Sequence, residues 1–442
     1  MSVVESAPRR GSGTAPVAVP DAWLNLLTRL PMPLPEPRDP DGPGESRIAM
    51  QRRIRLRAAL EQDGCSADRI AIPAEVRDRY AEIGRPTPLV RATALEAYLD
   101  TPARIYLKRE DLLPTGSFKL NSAIAQAYYA RQEGVRTLVT ETGAGQWGHA
   151  VAYACRMFGL EAIIFWAGVS ARQKKGRYAV IRMLGGEIHA SPSSHTPVGR
   201  ALRTEGRHRL GSLGTAIGEA IAYAADHPET RYISGSNLPH VLMHQTVIGL
   251  ETKAQLAALG ERPDVLVACV GGGSNLGGFI GPFLDDKRER GAGLTLIGAE
   301  SASAPRLTKG EWRYDHADPQ GVTPLVKSYT LGRDYELPET HVGGLRQHNG
   351  SPVIGVLRAA GLIEAHAYEE KEIFEMGRLI LRTEGFLPAP ESCHALQAAV
   401  DRALLARETG REETIVVCVS GSGMLDVDGY MATLGYPDGE DL

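Results

Sequence analysis

The stretch Pro114-Thr115-Gly116-Ser117-Phe118-Lys119-Leu120-Asn121 places a lysine directly after a turn and at the start of a predicted helix. Apolar residues follow with the three- and four-residue spacing of a helix that buries one face: Leu120, Ala123, Ile124, Ala127 and Tyr128. The positive end of a helix lowers the proton affinity of a nearby amine, which favours nucleophilic attack and Schiff-base formation. Taken alone, Lys119 is more simply explained as an exposed lysine, so its role depends on what else the chain carries.

The composition is that of an ordinary globular protein. The chain has 442 residues, 43% of them hydrophobic and 23% charged, which is long enough for two domains. A formal net charge of -4 provides no basic field for nucleic acid or an anionic membrane. We find no signal-peptide pattern and no apolar run of the ~18 residues that a membrane helix needs. The five cysteines lack CxxC spacing, so we interpret them as free thiols of a cytoplasmic protein, not as disulfides or zinc ligands.

Strand and helix patterns alternate along most of the chain, which predicts an α/β fold with parallel sheets flanked by helices. Residues 1–45 are rich in Pro, Ser, Gly and Arg and are predicted to be an N-terminal extension, disordered at first and then an extended arm near Trp23. Residues 301–350 show no period, which is typical of a lid or the wall of a site. The predicted strands are 105–108, 137–140, 162–166, 187–190, 264–270, 294–300 and 414–420, and the predicted helices include 46–62, 74–83, 171–184, 217–225 and 239–259.

A glycine-rich motif, Gly271-Gly272-Gly273-Ser274-Asn275, follows a buried strand and opens a helix. Consecutive glycines allow several backbone N–H groups to converge on one anion, so the motif predicts a phosphate cup. It has neither the lysine of a P-loop nor the spacing of a dinucleotide fingerprint, which favours a monophosphate ligand. The alternative is a glycine-rich turn kept for packing.

A second loop lies between a strand and a helix and begins at Glu141. Thr142, Gly143, Ala144, Gly145 and Gln146 offer backbone and side-chain donors that suit a second anion, such as a substrate carboxylate. Glu141 lies where a general acid/base would stand, although a solvated glutamate is equally compatible with the pattern.

Three further patterns lie outside these two loops. Ser420 ends an apolar strand and is placed to hydrogen-bond a neutral ring nitrogen, whereas the turn Glu384 to Ala395 is interpreted as mainly structural. His240 and His244 are four residues apart, but no carboxylate ligand accompanies them, so we predict a packing role and no metal site.

A Schiff-base lysine, a phosphate cup and a ring-facing serine together describe a pyridoxal phosphate site. From about residue 20 onward the sequence resembles the fold-type II pyridoxal-phosphate enzymes, specifically the second, longer class of tryptophan synthase β chains. The resemblance is carried by Gly84 to Leu89, Gly116 to Asn121, Glu141 to Gly148, Gly211 to Gly214, His240 to Gly249, Gly271 to Asn275, Thr330 to Asp334, His341 to Arg346 and Glu384 to Ala395.

The resemblance implies two domains with the cofactor, pyridoxal 5'-phosphate, between them. Residues 46–110 and 226–442 would form the domain that binds the cofactor phosphate, including the lid region 301–350, and residues 111–225 a smaller domain. Lys119 would bear the cofactor, Glu141 would act as acid and base, and Asp334 would gate the closed state. The cofactor would also contact Asn121, Gly271, Gly272, Gly273, Ser274, Asn275, Glu300 and Ser420, and the substrate carboxylate would contact Thr142, Gly143, Ala144, Gly145 and Gln146.

The implied reaction is β-replacement on L-serine or O-phosphoserine through an aminoacrylate, with indole as the default nucleophile and L-tryptophan as the product. The resemblance also implies a homodimer and leaves open an α-type subunit. Two departures touch the cofactor shell: Phe118 stands where the family usually has histidine, and Ser422 where it has arginine or histidine. A different nucleophile, a serine/threonine dehydratase and a non-catalytic paralogue therefore stay open as alternatives.

Overall fold

The computed structural model describes residues 17–436, so the predicted disorder at the start of the chain lies outside the described residues. The strands are β1 (Ala22–Leu24), β2 (Arg69–Ala71), β3 (Leu89–Arg91), β4 (Arg104–Arg109), β5 (Thr137–Thr142), β6 (Glu161–Ala167), β7 (Glu187–Ser191), β8 (Thr230–Tyr232), β9 (Val265–Cys269), β10 (Thr295–Ser301), β11 (Glu311–Asp315), β12 (Val326–Thr330), β13 (Glu364–Tyr368) and β14 (Thr414–Val419).

The helices are α1 (Arg47–Ile54), α2 (Arg57–Asp63), α3 (Ala74–Glu82), α4 (Thr93–Leu99), α5 (Leu120–Gln132), α6 (Gln146–Phe158), α7 (Gly168–Gln173), α8 (Lys175–Met183), α9 (Pro197–Glu205), α10 (Leu213–Asp226), α11 (Pro239–His244), α12 (Thr246–Ala258), α13 (Ser274–Ile280), α14 (Leu284–Arg290), α15 (Arg306–Lys309), α16 (Pro352–Ala359), α17 (Glu370–Glu384), α18 (Pro390–Thr409) and α19 (Val427–Leu434). None of the helices between residues 17 and 436 is long and apolar enough to cross a membrane.

The larger sheet has the strand order β13-β10-β9-β14-β4-β3. All of its pairs are parallel except the edge pair of β3 with β4. Its central strands β9 and β14 are buried along their whole length. Helices cover both faces of such a sheet, which explains why these strands are nearly continuous apolar runs in the sequence. The predicted class of fold, parallel sheets flanked by helices, is confirmed.

The smaller sheet has the order β7-β6-β5-β8 and is parallel throughout. It therefore includes β8, Thr230–Tyr232, which lies beyond the predicted boundary of the smaller domain at residue 225. The domain boundary stays a prediction, and the sequence did not indicate β8 because a strand of three residues is too short to show a hydrophobic period.

Several predicted elements are divided in the structure. The predicted helix 46–62 is interrupted at Arg55, where the backbone is extended, and 171–184 is interrupted at Lys174. The irregular region 301–350 contains the hairpin β11–β12. Near the N-terminus, β1 pairs with β2 and buries Trp23 completely, so the predicted arm packs on the body of the protein. Four of the five cysteines are buried, Cys65 is partly exposed, and all are free thiols.

A buried network of charges lies beneath α5. Arg85 donates to Glu110 at 2.8 Å and to Glu251 at 2.8 Å, and Lys108 donates to Glu251 at 2.7 Å. All four side chains are completely buried. Two cations and two carboxylates balance within the network, and removal of one partner leaves a charge without compensation.

We therefore expect Glu251→Ala to lower the free energy of unfolding by about 3–5 kcal/mol, because Arg85 and Lys108 would lose their shared carboxylate. The measurement is urea unfolding followed by circular dichroism. The matched control is Glu82→Ala, which removes the exposed partner of Arg79 and should cost less than about 1 kcal/mol. Equal costs for the two variants would contradict this account of the network.

Candidate active site

Lys119 caps the N-terminus of α5, as the sequence predicts. Its side chain is half-buried, and Nζ donates to the carbonyl oxygen of Gly235 at 3.0 Å. Burial lowers the pKa of the amine to about 8, against the opposing pull of the Glu141 carboxylate. Loss of solvent, rather than the helix end, is thus the main cause of the lowered pKa, and the amine is available as a nucleophile near neutral pH.

The turn that carries Lys119 packs on the loop after β14. The N–H of Phe118 donates to the Ser420 carbonyl at 3.1 Å, and the N–H of Ser422 donates to the Gly116 carbonyl at 2.8 Å. An antiparallel bridge joins Ser117 to Gly421 between these two bonds. The structure therefore brings the lysine and the predicted ring-facing serine together, although they are far apart in the sequence.

Phe118 is buried in the main core, and its ring centroid lies 5.1 Å from Lys119 Nζ. The aromatic ring adds to the apolar surroundings that lower the pKa of the lysine. It offers no hydrogen-bond donor of the kind that histidine would supply at the same position.

Glu141 is buried at the end of β5 and faces the pocket that Lys119 lines. Its Oε1 accepts from the Ser234 hydroxyl at 3.3 Å, whereas Oε2 has no partner among the described residues. Burial raises the pKa of the carboxyl above its usual range. A buried carboxyl with a raised pKa and one oxygen without a partner is suited to proton transfer with a ligand.

The predicted carboxylate loop lies beside Glu141. Gly145 adopts a φ of 86° as the N-cap of α6, and Gln146 Nε2 is buried without a partner among residues 17–436. The residues that line the pocket shared with Lys119 are Glu141, Thr142, Gly143, Ala144, Gln146, Trp147, Leu213, Gly235, Ser236, Gly272 and Gly344. A second, wider groove on the surface near Tyr98 and Arg378 contains none of the predicted site residues.

The glycine-rich motif opens α13, as predicted. The N–H groups of Gly271, Gly272 and Gly273 donate to no acceptor in the described part of the chain. Ser274 differs, because its N–H donates to the Ser236 carbonyl at 3.0 Å. The side chain of Asn275 donates to the Cys269 carbonyl at 3.3 Å and so turns toward the strands. The three open glycine amides fit an anion such as phosphate.

The hydroxyl of Ser420 lies 2.7 Å from that of Ser392 and 3.4 Å from Cys269 Sγ. Ser392 also accepts from the N–H of Gly421 at 3.0 Å. No charged partner is bonded to the Ser420 hydroxyl among the described residues. A neutral hydroxyl suits an unprotonated ring nitrogen, because a carboxylate would instead stabilise the protonated ring.

Asn121, a predicted cofactor ligand, has other partners in the structure. Asn121 is completely buried, and its amide donates to Glu110 and Gln245 while its oxygen accepts from Arg85. It therefore belongs to the buried charge network and does not line the pocket.

Glu300 accepts from the N–H groups of Leu307 and Thr308, both at 2.9 Å, and so holds the start of α15. It too does not line the pocket. Burial raises the pKa of its carboxyl. Sequence order alone could not show that these polar groups are satisfied by other parts of the protein.

Asp334, the predicted gate, is 74% exposed and pairs with Arg207 on the surface. Arg207 follows α9, so this pair joins the region 301–350 to the segment after α9. The structure does not bring Asp334 to the pocket, and a gating role stays a prediction. Another part of the same region does reach the site, because Gly344 forms part of the pocket wall.

Glu391 was missed in the sequence, where its turn was interpreted as mainly structural. Its Oε1 accepts from the N–H of Gly344 at 2.8 Å, and Oε2 is buried without a partner among residues 17–436. Its charge acts on Lys119, as does that of Glu141. The feature of the sequence that could have indicated Glu391 is its place at the start of a helix, α18, two residues after the rigid Pro388-Ala389 segment.

Comparison with known proteins agrees with this geometry. Residues 80–421 match the family model described as pyridoxal-phosphate dependent enzyme. The chain is 51% identical to tryptophan synthase beta chain 2 of Methanothermobacter thermautotrophicus, over 93% of this chain and 96% of that protein. It is 48% identical to tryptophan synthase beta chain 2 of Thermotoga maritima, over 94% and 98% of the two chains.

Two solved structures share the fold. A threonine deaminase from T.th. matches with a TM-score of 0.55 and 23% identity, over 79% of this chain and 96% of that one. An L-serine ammonia-lyase from Rhizomucor miehei matches with a TM-score of 0.58 and 19% identity, over 78% and 97%. The chain thus belongs to the pyridoxal-phosphate-dependent enzymes and, within them, to the tryptophan synthase β-chain family.

The residues of the site fit the cofactor of this family. The amine of Lys119 is available for attachment, and the open amides of Gly271, Gly272 and Gly273 are suited to its phosphate. The hydroxyl of Ser420 is suited to its ring nitrogen. Pyridoxal 5'-phosphate is the cofactor of this enzyme.

We expect Lys119→Ala to abolish covalent attachment of pyridoxal phosphate, because no second lysine lines the pocket among the described residues. The measurement is the mass of the protein after borohydride reduction of the loaded form. The control, Lys175→Ala, removes an exposed lysine of α8 and should keep the full mass increase. An equal mass increase in Lys119→Ala would assign the attachment to another lysine.

Proposed function

We propose that this enzyme catalyses β-replacement, in which L-serine and indole give L-tryptophan and water. The observation that carries the proposal is the unpaired Oε2 of Glu141 in the pocket that Lys119 lines. Support also comes from relatives named tryptophan synthase β chains. They are about half identical in sequence to this chain over nearly its whole length.

Pyridoxal phosphate, when bound, supplies the electron sink that weakens the bonds at the α and β carbons of the amino acid. We assign Lys119 to the attachment of the cofactor and to the transfer of the proton at the α carbon. Its lowered pKa leaves part of the population of amines unprotonated near neutral pH, so the amine can accept that proton.

Glu141 is assigned to the proton that accompanies the leaving hydroxyl. Because burial raises the pKa of this carboxyl, a protonated fraction persists at a higher pH than for an exposed glutamate. The carboxylate that forms after proton transfer can accept a proton from the incoming nucleophile. The same group thereby serves both halves of the replacement.

We assign the substrate carboxylate to the loop from Thr142 to Gln146. The unpaired Gln146 Nε2 and the start of α6 provide donors and a positive helix end beside Glu141. The amino acid would then lie with its β carbon toward Glu141 and its α carbon toward Lys119. We also propose that region 301–350 closes over this position, with Asp334 as the gate.

We further propose a homodimer in the cytoplasm, and the five free thiols are consistent with a reducing compartment. An α-type subunit that supplies indole would form a larger assembly with this homodimer. Light scattering of the purified protein, alone and with a candidate α subunit, distinguishes a monomer, a dimer and a larger assembly.

The central experiment is product analysis by mass spectrometry. The loaded enzyme is incubated with L-serine or O-phosphoserine, with and without indole. Tryptophan formed only when indole is present is the expected result. Pyruvate in equal amounts with and without indole would instead identify a dehydratase, an alternative from the sequence. A spectral change of the loaded enzyme with L-serine that indole leaves untouched would indicate a different nucleophile.

We expect Glu141→Gln to lower kcat for tryptophan formation by about 10²–10⁴-fold, because glutamine cannot transfer a proton to the leaving hydroxyl. Cofactor loading should be unchanged. The control is Glu161→Gln, which removes an exposed carboxylate at the start of β6 and should keep the original kcat. A decrease of less than about threefold in Glu141→Gln would remove this residue from the proton transfer.

A further inference from the structure

Two carbonyl groups of the carboxylate loop are fixed by side chains outside the pocket. Trp166 Nε1 donates to the carbonyl oxygen of Gly143 at 2.9 Å. Arg177 Nη1 donates to the carbonyl oxygen of Ala144 at 2.8 Å. Trp166 is completely buried in β6, and Arg177 is almost completely buried in α8. Neither residue lines the pocket.

The direction of a carbonyl group sets the direction of the next N–H group. In a trans peptide the C=O and the following N–H point to opposite sides of the chain. The N–H groups of Ala144 and Gly145 therefore point away from Trp166 and Arg177. Neither N–H donates to an acceptor in the described part of the protein, so both are free to bind an anion.

Arg177 is itself held by Asp426. The guanidinium donates from Nη2 to Oδ2 at 2.9 Å and from Nη1 to Oδ1 at 3.2 Å, and Lys174 also pairs with Oδ1. Burial by itself would raise the pKa of the Asp426 carboxyl, but the two cations hold that pKa below its usual range. Asp426 is thus shared by two cations, and the charge of Lys174 also acts on the carboxyl of Glu370.

Asp426 also ties this cluster to the other side of the site. It immediately precedes α19 as its N-cap and follows Ser420 and the loop that packs on the Lys119 turn. Its N–H donates to the Gly423 carbonyl at 2.8 Å. The carboxylate loop and the lysine turn are thus attached to the same segment of chain.

We propose that Arg177, held by Asp426 and assisted by Trp166, is a positioning residue that directs the Ala144 and Gly145 amides toward the substrate carboxylate. This inference rests on the proposed function, since it assigns the loop to an amino-acid substrate. The competing explanation is that the cluster only joins two parts of the fold. That explanation predicts a loss of stability without a change in substrate recognition.

The test compares L-serine with L-serinamide, which lacks the carboxylate charge. Binding is measured from the spectral change of the loaded enzyme, so no product is required, and kcat and KM follow from turnover with indole. In Arg177→Met we expect the Kd and KM for L-serine to rise about tenfold or more, with KM for indole unchanged. The preference for L-serine over L-serinamide should fall by a similar factor.

Conservative variants separate orientation from packing. Arg177→Lys retains one donor and should recover part of the L-serine affinity. Asp426→Asn keeps the shape of the side chain but removes its charge, and Trp166→Phe removes the indole N–H together with part of the buried ring. Both should weaken L-serine binding more than L-serinamide binding. The matched control is Arg182→Met, which replaces an exposed arginine of the same helix. It should leave the binding of both L-serine and L-serinamide unchanged.

Failure of the positioning role and failure of the proposed function give different results. If the wild-type enzyme makes tryptophan and all folded variants keep its preference for L-serine, the positioning role is wrong and the proposed function stands. If the loaded wild-type enzyme neither binds nor consumes L-serine, the proposed function fails first. If Arg177→Met does not fold, the ratio of the affinities for L-serine and L-serinamide is measured in Asp426→Asn and Trp166→Phe instead. An unchanged ratio in both variants would contradict the positioning role.

Discussion

The bridge between Ser117 and Gly421 is the contact on which the site depends. It fixes the lysine turn to the loop after the central strand β14, and the hydrogen bonds on either side of it prevent the two segments from sliding. Beneath the turn, the balanced charges around Arg85 hold α5 against the larger sheet. The position of Lys119 is therefore set by backbone contacts and by a buried network, neither of which involves its own amine.

Much of the fold was predictable, because strands buried on both faces leave long apolar runs in the sequence. The smallest elements were not predictable: β8 has three residues, and the break at Arg55 lies within an otherwise helical pattern. The secondary-structure propensity of so few residues carries little information about the structure that they adopt. The pairing of β8 with β5 depends on the sheet that is already present.

The local geometry of the candidate site was predictable where the sequence shows it directly: Lys119 lies at the start of a helix, Glu141 near the end of a strand, and the three glycines before a helix. It was less predictable where a polar side chain has a choice of partners. Asn121 and Glu300 are satisfied within the fold, whereas Glu391 keeps one oxygen unpaired and its charge acts on the lysine. Which polar group remains unpaired is decided by tertiary contacts, and a single sequence does not contain them.

The order of strands in the larger sheet has a consequence for how the chain reaches its native state. The central strand β14 pairs with β4, and their partners Arg104 and Thr414 are 310 positions apart. Until that pairing forms, the edges of β4 and β9 are without their shared neighbour, and the apolar faces of both strands are uncovered. Such distant parallel pairing is slow and leaves time for aggregation, so productive folding of this enzyme should depend strongly on temperature and on chaperones.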